Sequence, residues 1–378
     1  MFNADQIGIT GWALASGLGC DRASVHESLQ TDRRALSFEH RFREWLHCPL
    51  GEIPWHQLGF ERADPFGTDL LMQEGCRILF DQMQQETQLF HRFSAERIGL
   101  FVGTTTSGIR GFFRALDQQK SAPTSAPLRA DMQQAYLMND LIDRFPFHGP
   151  AWTLSSSCAA SAHALVLASD ALQNHMIDAA VVIGVDILNL VTIFGFDALQ
   201  VLDHELCQPF KAERNGINLA EVIAMVQLER TPVGQSGTVI RGHHCLSEAH
   251  HMTQPAPHGI WMQKTMEEVL RKSGLRAADI SYINPHGTAT EANDRTEGEA
   301  LAQVFGSERR FHPTKKLTGH TLGASGVFEL ILSHLVLEAG EANSPTHLAL
   351  QPSKPRLALS NSFGFGGANV SIIIEHHL

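Results

Sequence analysis

The chain has 378 residues, 43% of them hydrophobic and 18% charged, a composition that buries a large core and excludes a disordered or low-complexity protein. Its 29 basic and 40 acidic residues give a formal net charge of −11, which argues against general nucleic-acid or anionic-membrane binding. Six cysteines without a CxxC pair, an N-terminus without a signal pattern, and a most apolar stretch (179–196) broken by Asp186 and Asn189 make a cytoplasmic protein with no membrane span the expectation.

Along the chain, short β-branched runs alternate with segments of helical period. Ile7–Gly11 reads as a first strand and Arg97–Gly103 as a second. Gln118–Pro127, rich in Ser, Pro and Gln, reads as an exposed loop. Ala159–Gln173 reads as an apolar helix and Asp178–Asp186 as a buried strand; a helix apolar all round belongs in the middle of a core. Glu221–Glu229 and Gly237–Gly242 read as strands joined by a Pro/Gly turn, followed by a helix over Met262–Ser273. Then come Tyr282–Asn284, helices over Asp294–Phe305 and Ala324–Gly340, and a closing hairpin. Its strands are Leu357–Ser360 and Val370–Ile374, around the glycine loop Gly364–Gly367. The alternation implies a layered α/β architecture. Residues 31–58 carry Trp, Cys and Pro without a period and support no functional reading.

Four places carry chemistry. In Thr153–Ser161 a strand leads to Cys158, and small residues then open the long helix. The positive end of that helix favours a thiolate, and backbone N–H groups there can bind an oxyanion. Against this stands the ordinary fate of a free cysteine, which is to be buried and inert. Asn284–Glu297 sets His286 on a Pro/Gly turn between strand and helix, with Thr288 and Thr290 next to it. Lys315–Gly326 sets His320 in a matching place, and Asn361–Asn369 is the glycine loop around Phe365. One cysteine with distant histidines suggests a cysteine nucleophile.

These four segments, in this order, resemble the β-ketoacyl-acyl-carrier-protein synthases, the condensing enzymes of the thiolase superfamily. The motifs are the cysteine before a small-residue helix, His-Gly-Thr-x-Thr, Lys-x-x-x-Gly-His with Gly-Ala-x-Gly, and Asn-Ser-Phe-Gly-Phe-Gly-Gly-x-Asn. Ile9–Gly11, Pro209–Gly216 and His251–Pro255 are weaker matches, and the likeness is faintest over residues 30–95. The resemblance implies a thiolase-type α/β/α/β/α fold of two similar halves, residues 1–230 with Cys158 and residues 231–378 with both histidines. It implies that Cys158 takes an acyl group from a carrier thioester, and that His286 and His320 bind the malonyl carbonyl as CO₂ leaves. Lys315 and Glu297 match a supporting pair that orders the histidines. The N–H groups of Cys158 and Phe365 match the oxyanion hole, and Phe365 also matches the gate. Thr288, Thr290 and Thr253 match contacts to the phosphopantetheine arm. No redox cofactor and no metal are implied. The implied partners are an acyl carrier protein and a second subunit, identical or related. Lys211 and Arg214 are candidates for carrier docking, with an internal salt bridge as the other reading of Arg214.

Three departures stand out. Lys211 replaces the family's usual Asp, Ala220-Glu221-Val222 its Gly-Glu-Gly, and Ala368 a common Thr. None removes a catalytic group, but the first two suggest a divergent type II enzyme of a specialised pathway, such as an aryl polyene or polyketide one. The rival readings are a non-catalytic, chain-length-factor-like subunit, which usually lacks the cysteine, and a coenzyme A-dependent thiolase, whose Cys-His-Cys set does not fit two histidines. The cluster His243, His244, Cys245, His250, His251 invites a metal reading, but neighbours on a strand point to opposite faces and do not converge.

Overall fold

A computed structural model describes residues 5–60, 68–109, 133–308, 311–340 and 356–378. The strands are β1 (Asp5–Ser16), β2 (Leu36–Ser37), β3 (Leu50–Gly51), β4 (Ile98–Gly103), β5 (Ala151–Leu154), β6 (Ala179–Asp186), β7 (Val222–Pro232), β8 (Gly237–Ser247), β9 (Tyr282–Asn284), β10 (Arg356–Gly364) and β11 (Ala368–His377). The helices are α1 (Arg22–Gln30), α2 (Thr68–Thr87), α3 (Leu89–Arg92), α4 (Tyr136–Arg144), α5 (Ala160–Gln173), α6 (Leu190–Ala198), α7 (Ile260–Ser273), α8 (Glu291–Phe305), α9 (Lys315–Thr318) and α10 (Ser325–Ala339).

Nine strands line up as β5-β4-β6-β7-β1-β8-β11-β10-β9. β4, β5 and β6 run parallel, as do β9 and β10, and the other neighbours are antiparallel. The join between the two wings is short, three residue pairs from Ile7↔Ile240 to Ile9↔Thr238. α5 and α10 pack against each other between the wings, α2 covers β1 and β7 on one outer side, and α7 covers β8 and β11 on the other, with α8 packed on α7. The result is the five-layered thiolase-type arrangement, with one apolar cluster around the central helices and one under each outer helical layer.

The middle layer explains the sequence pattern. β6 is buried at every residue, and α10 is buried continuously from Ser325 to Leu337, so neither has a polar face. The helical run Leu322–Ala339 is long and apolar enough to cross a membrane, but 89% of it is buried inside the molecule. Close approach of the two helices requires glycine. A Cβ on Gly326 would lie 2.3 Å from the Ala162 backbone nitrogen, so Gly326→Ala forces the layers apart.

Several boundaries differ from the sequence reading. β1 is longer than Ile7–Gly11 because its central irregularity, between Ile9 and Gly11, does not end its pairing with β7. β8 continues to Ser247 and takes in His243, His244 and Cys245, paired along β11. His243 meets Asp170 at 3.3 Å while His244 Nδ1 meets Lys272 Nζ at 3.0 Å, so the two side chains diverge. The predicted loop Gln118–Pro127 lies outside the described residues. Residues 31–58, opaque in the sequence, hold a buried ion cluster. Arg41 bridges Glu52 and Glu221, and Glu221 also accepts N–H bonds from Ile53, Trp55 and Leu188.

Candidate active site

Two strand-to-helix junctions bring Cys158 and His286 together with His320, which sits between the short helix α9 and α10 rather than after a strand as its sequence setting suggested. Their Sγ and ring nitrogens lie within 4.8 Å of one another, and all three residues are buried. They line a cleft whose space, counted out into the open solvent at its mouth, is about 640 Å³. Phe196, Phe363 and Phe365 make its apolar wall, and Thr253, Thr288 and Thr290 line it too. Met252, 80% exposed, stands among the lining residues.

Cys158 follows β5 and precedes α5. Ser157 adopts a positive φ of 51°, in the left-handed region that costs a non-glycine residue energy, and so turns the chain sharply. The helix end does not win the thiol's ionisation. Burial pushes Cys158 up to about 11, against the opposing pull of Lys315 and of N–H groups of Phe365 and Cys158 itself. The expected thiolate bias is therefore overridden by desolvation. The Phe365 loop reaches this N–H position because the β10–β11 hairpin closes through Gly366 and Gly367, both at positive φ. Phe365 stacks on Phe196, with ring centroids 6.2 Å apart.

His320 is fixed at both backbone ends, its N–H donating to Asn218 O at 2.7 Å and its carbonyl accepting from Ala220 N at 2.9 Å. Its Nδ1 accepts the Leu322 N–H at 3.2 Å. An Nδ1 that accepts carries no proton, so the neutral ring carries it on Nε2, which faces Cys158 Sγ at 3.1 Å. His286 Nδ1 faces the Lys315 ammonium at 3.5 Å, which gives its Nε2 the same donor role. Burial, then Lys315, holds both rings well below the ordinary histidine value, so both stay neutral at working pH. A protonated Nε2 donates a hydrogen bond and does not ligate a metal.

Lys315 and Glu297 both bear on His286, with no bond between the two among the described residues. Lys315 Nζ pairs with Glu329 Oε1 at 2.6 Å, both fully buried. Glu297 instead accepts the backbone N–H groups of His286 and Gly287 at 2.7 and 2.8 Å and the Asn293 amide at 3.2 Å. It therefore sets the His286 turn, and Lys315 sets the ring. Sequence reasoning missed Glu329, although a lone carboxylate inside the apolar run Val327–Leu332 is a readable signal. It also missed Phe196, hidden in an apolar run, and Asp186, taken only as a break in one.

Thr288 and Thr290 hydroxyls meet at 3.0 Å across Ala289, whose φ is +70°, so the turn is kinked rather than extended and both still line the cleft. Thr253 lies at the same cleft, its N–H bonded to His251 Nδ1 at 3.1 Å. Lys211 is exposed. Arg214 is half-buried, donates to the Lys211 carbonyl at 2.8 Å, and forms no ion pair among the described residues. Its stretch docks on the His286 turn through Asp294, which accepts from Phe210 N at 2.6 Å and Ala289 N at 3.1 Å.

Comparison with known proteins agrees with this geometry. Residues 60–233 match the model of the β-ketoacyl synthase N-terminal domain, and residues 238–349 that of its C-terminal domain. The chain is 27% identical to nodulation protein E of Rhizobium sp. (strain N33), over 96% of this chain and 97% of that one. It is 28% identical to the chloroplastic 3-oxoacyl-acyl-carrier-protein synthase II of Arabidopsis thaliana, over 97% of this chain and 75% of that one. Among solved structures it is similar to a chain of the ketosynthase–chain length factor complex from Xenorhabdus doucetiae. There the TM-score is 0.80 and the identity 28%, over 98% of both chains.

Proposed function

The chain belongs to the β-ketoacyl synthase family, and we propose that it is an active β-ketoacyl-acyl-carrier-protein synthase with Cys158 as its nucleophile. The observation that carries this reading is the convergence of Cys158 with two neutral Nε2–H donors, His286 and His320, on one cleft floor.

In the first half-reaction Cys158 Sγ attacks an acyl-carrier thioester. The carbon–sulfur bond to the carrier breaks, and the leaving carrier thiolate takes the proton that Cys158 gives up. N–H groups of Cys158 and Phe365 stabilise the oxyanion. In the second, both Nε2–H groups donate to the malonyl thioester carbonyl. The electron pair released as CO₂ leaves passes into that carbonyl, giving an enolate held by two hydrogen bonds. The enolate carbon attacks the acyl-Cys158 carbonyl, and the Cys158 sulfur departs next to the Lys315 charge. Carbon–carbon bond formation is driven by loss of CO₂, so no redox cofactor is needed. Thr253, Thr288 and Thr290 provide hydroxyls along the pantetheine path.

The second subunit is best placed at β5. That strand is an edge of the sheet, its outer side carries no partner among the described residues, and Trp152 on it is 55% exposed. A copy of this chain or a related ketosynthase-type subunit fits there. Ala220 lies against Gly319 in the His320 loop, a departure close to the chemistry, and supports a specialised elongation pathway. Full rescue of a fatty-acid elongation mutant would count against that pathway.

The deciding experiment is intact-protein mass after incubation with a panel of acyl-carrier thioesters, alongside Cys158→Ala. An acyl-sized gain that vanishes in the variant is expected. No gain from any donor, with folded protein, would favour the non-catalytic partner role instead.

A further inference from the structure

We propose that Asp186 is a positioning residue for His320: its buried carboxylate holds the Leu322–Gly323 turn and thereby fixes the histidine as the Nε2–H tautomer used in decarboxylation. This rests on the condensing-enzyme reading above.

Asp186 ends β6 and is fully buried. Six donors converge on it. Thr104 Oγ1, Thr105 N, Thr106 N and Thr106 Oγ1 reach Oδ1 at 2.7–2.9 Å, while Thr105 Oγ1 and Gly323 N reach Oδ2 at 2.8 and 2.7 Å. The Thr104 and Thr106 hydroxyls themselves accept N–H bonds, from Thr106 and Ser107 and from Ile187. Burial pushes the Asp186 carboxyl up, while the bonds from Thr105, Thr106 and Thr104 favour its ionised form. No described cation pairs with it.

The link to the chemistry is one residue long. Gly323, tethered by Asp186, follows Leu322, a buried leucine held at φ +53°. A leucine keeps that conformation only when its surroundings over-determine it. Leu322 in that conformation aims its N–H at His320 Nδ1. The site is also closed to substitution. A Cβ on Gly323 would lie 2.9 Å from Thr105 Cγ2, 3.0 Å from Asp186 Oδ2 and 3.1 Å from Ala160 Cβ. Asp186 thus joins the wing that carries Cys158 to the turn that orients His320.

Asp186→Asn keeps the size but turns an amide NH₂ toward existing donors. Acylation of Cys158 is not expected to fall, because it needs no His320 tautomer and Asp186→Asn also removes a charge that raises the thiol, while malonyl decarboxylation and condensation fall by about 10- to 100-fold. In ¹⁵N-histidine spectra, with His320 assigned by its absence in His320→Gln, the wild type should show the single Nε2–H form and the variant a mixture. A folded variant with an unchanged tautomer and an unchanged ratio of condensation to acylation overturns the proposal. If Asp186→Asn does not fold, Thr105→Val, which removes one donor from Oδ2, decides. A condensation-selective loss of about threefold to tenfold is expected, and equal loss in both steps, or none, overturns it. Wild-type protein that takes no acyl group would instead fail the functional reading itself.

Discussion

Arg41, Glu52 and Glu221 form one buried charge cluster in this molecule, and Lys315 and Glu329 form another next to the histidines. Glu221 is saturated: Arg41, Ile53 N–H and Trp55 Nε1–H reach one oxygen, and Arg41 and Leu188 N–H the other. Glu329 is not. Lys315 and Thr314 both bond Oε1, and Oε2 has no partner among the described residues. Lys315 divides its ammonium between Glu329 and His286. Glu221 is enclosed by donors on both oxygens, although Arg41 Nε in the same cluster lacks a partner among the described residues, whereas Glu329, beside the chemistry, keeps a whole oxygen for a changing partner.

Removing one member of each cluster tests that contrast with the largest effects. Arg41→Met leaves Glu221 with no cation: Glu52, which burial also raises, can take a proton, but Glu221 loses two of its five bonds. The loss should be about 3–5 kcal/mol in denaturant unfolding, with turnover per folded molecule unchanged. Lys315→Met leaves Glu329, which burial already pushes toward its protonated form, so it can take a proton and escape that penalty. Its stability loss should be smaller, while condensation falls by about 10²- to 10³-fold. Equal stability losses with equal rate losses would erase the distinction.

Glu297 gives the comparison a pH coordinate. Burial raises it to about 7, against the pull of the Gly287 and His286 N–H groups. Above that value it is a carboxylate accepting both bonds. As pH falls through about 7 it gains a proton, and the His286 turn loses its anion. The histidines, held well below 6.5, do not titrate there. kcat/KM should therefore fall on the acid side with a midpoint near 7, and Glu297→Gln should flatten that limb at a rate lower by about tenfold. A limb unchanged in Glu297→Gln assigns it to another group.

A smaller effect belongs to the thiol. With Cys158 pushed up to about 11, its alkylation by iodoacetamide should rise about tenfold per pH unit from pH 7 to 9, without a plateau. Lys315→Met should be slower at every pH, because the lysine charge favours thiolate. A plateau near neutrality would show that the helix end and the N–H groups outweigh burial after all.

How much of this could be read from the sequence follows from what was local. Cys158, His286, His320 and Phe365 sit in short motifs whose small residues and turns are visible in a few positions, and the structure brings them together. The apolar helices α5 and α10 announced their place in the middle layer. Partners across the chain were not visible. The Arg41–Glu221 pair spans 180 positions and the Asp186–Gly323 bond 137, and no period or motif connects them. Lys315 and Glu297 were legible as a pair serving the histidines, but the lysine's own counter-ion was not: only the packing of α10 shows that Glu329 reaches it.

The smallest predicted effect concerns charge left in solvent. Lys211 is exposed, so its reversal removes no buried partner and should leave kcat alone. If it meets an acidic carrier protein, Lys211→Glu should raise the carrier KM by about two- to fivefold at low salt and lose the effect at high salt. Arg214 has a different position, half-buried, with its charge acting on Asp294, the residue that holds the Phe210 and Ala289 backbone. Arg214→Glu should therefore disturb the His286 turn and lower kcat as well. A KM unmoved by Lys211→Glu at low salt would take Lys211 out of docking. A kcat lowered only by Arg214→Glu would place that arginine with the enclosed charges rather than the solvated ones.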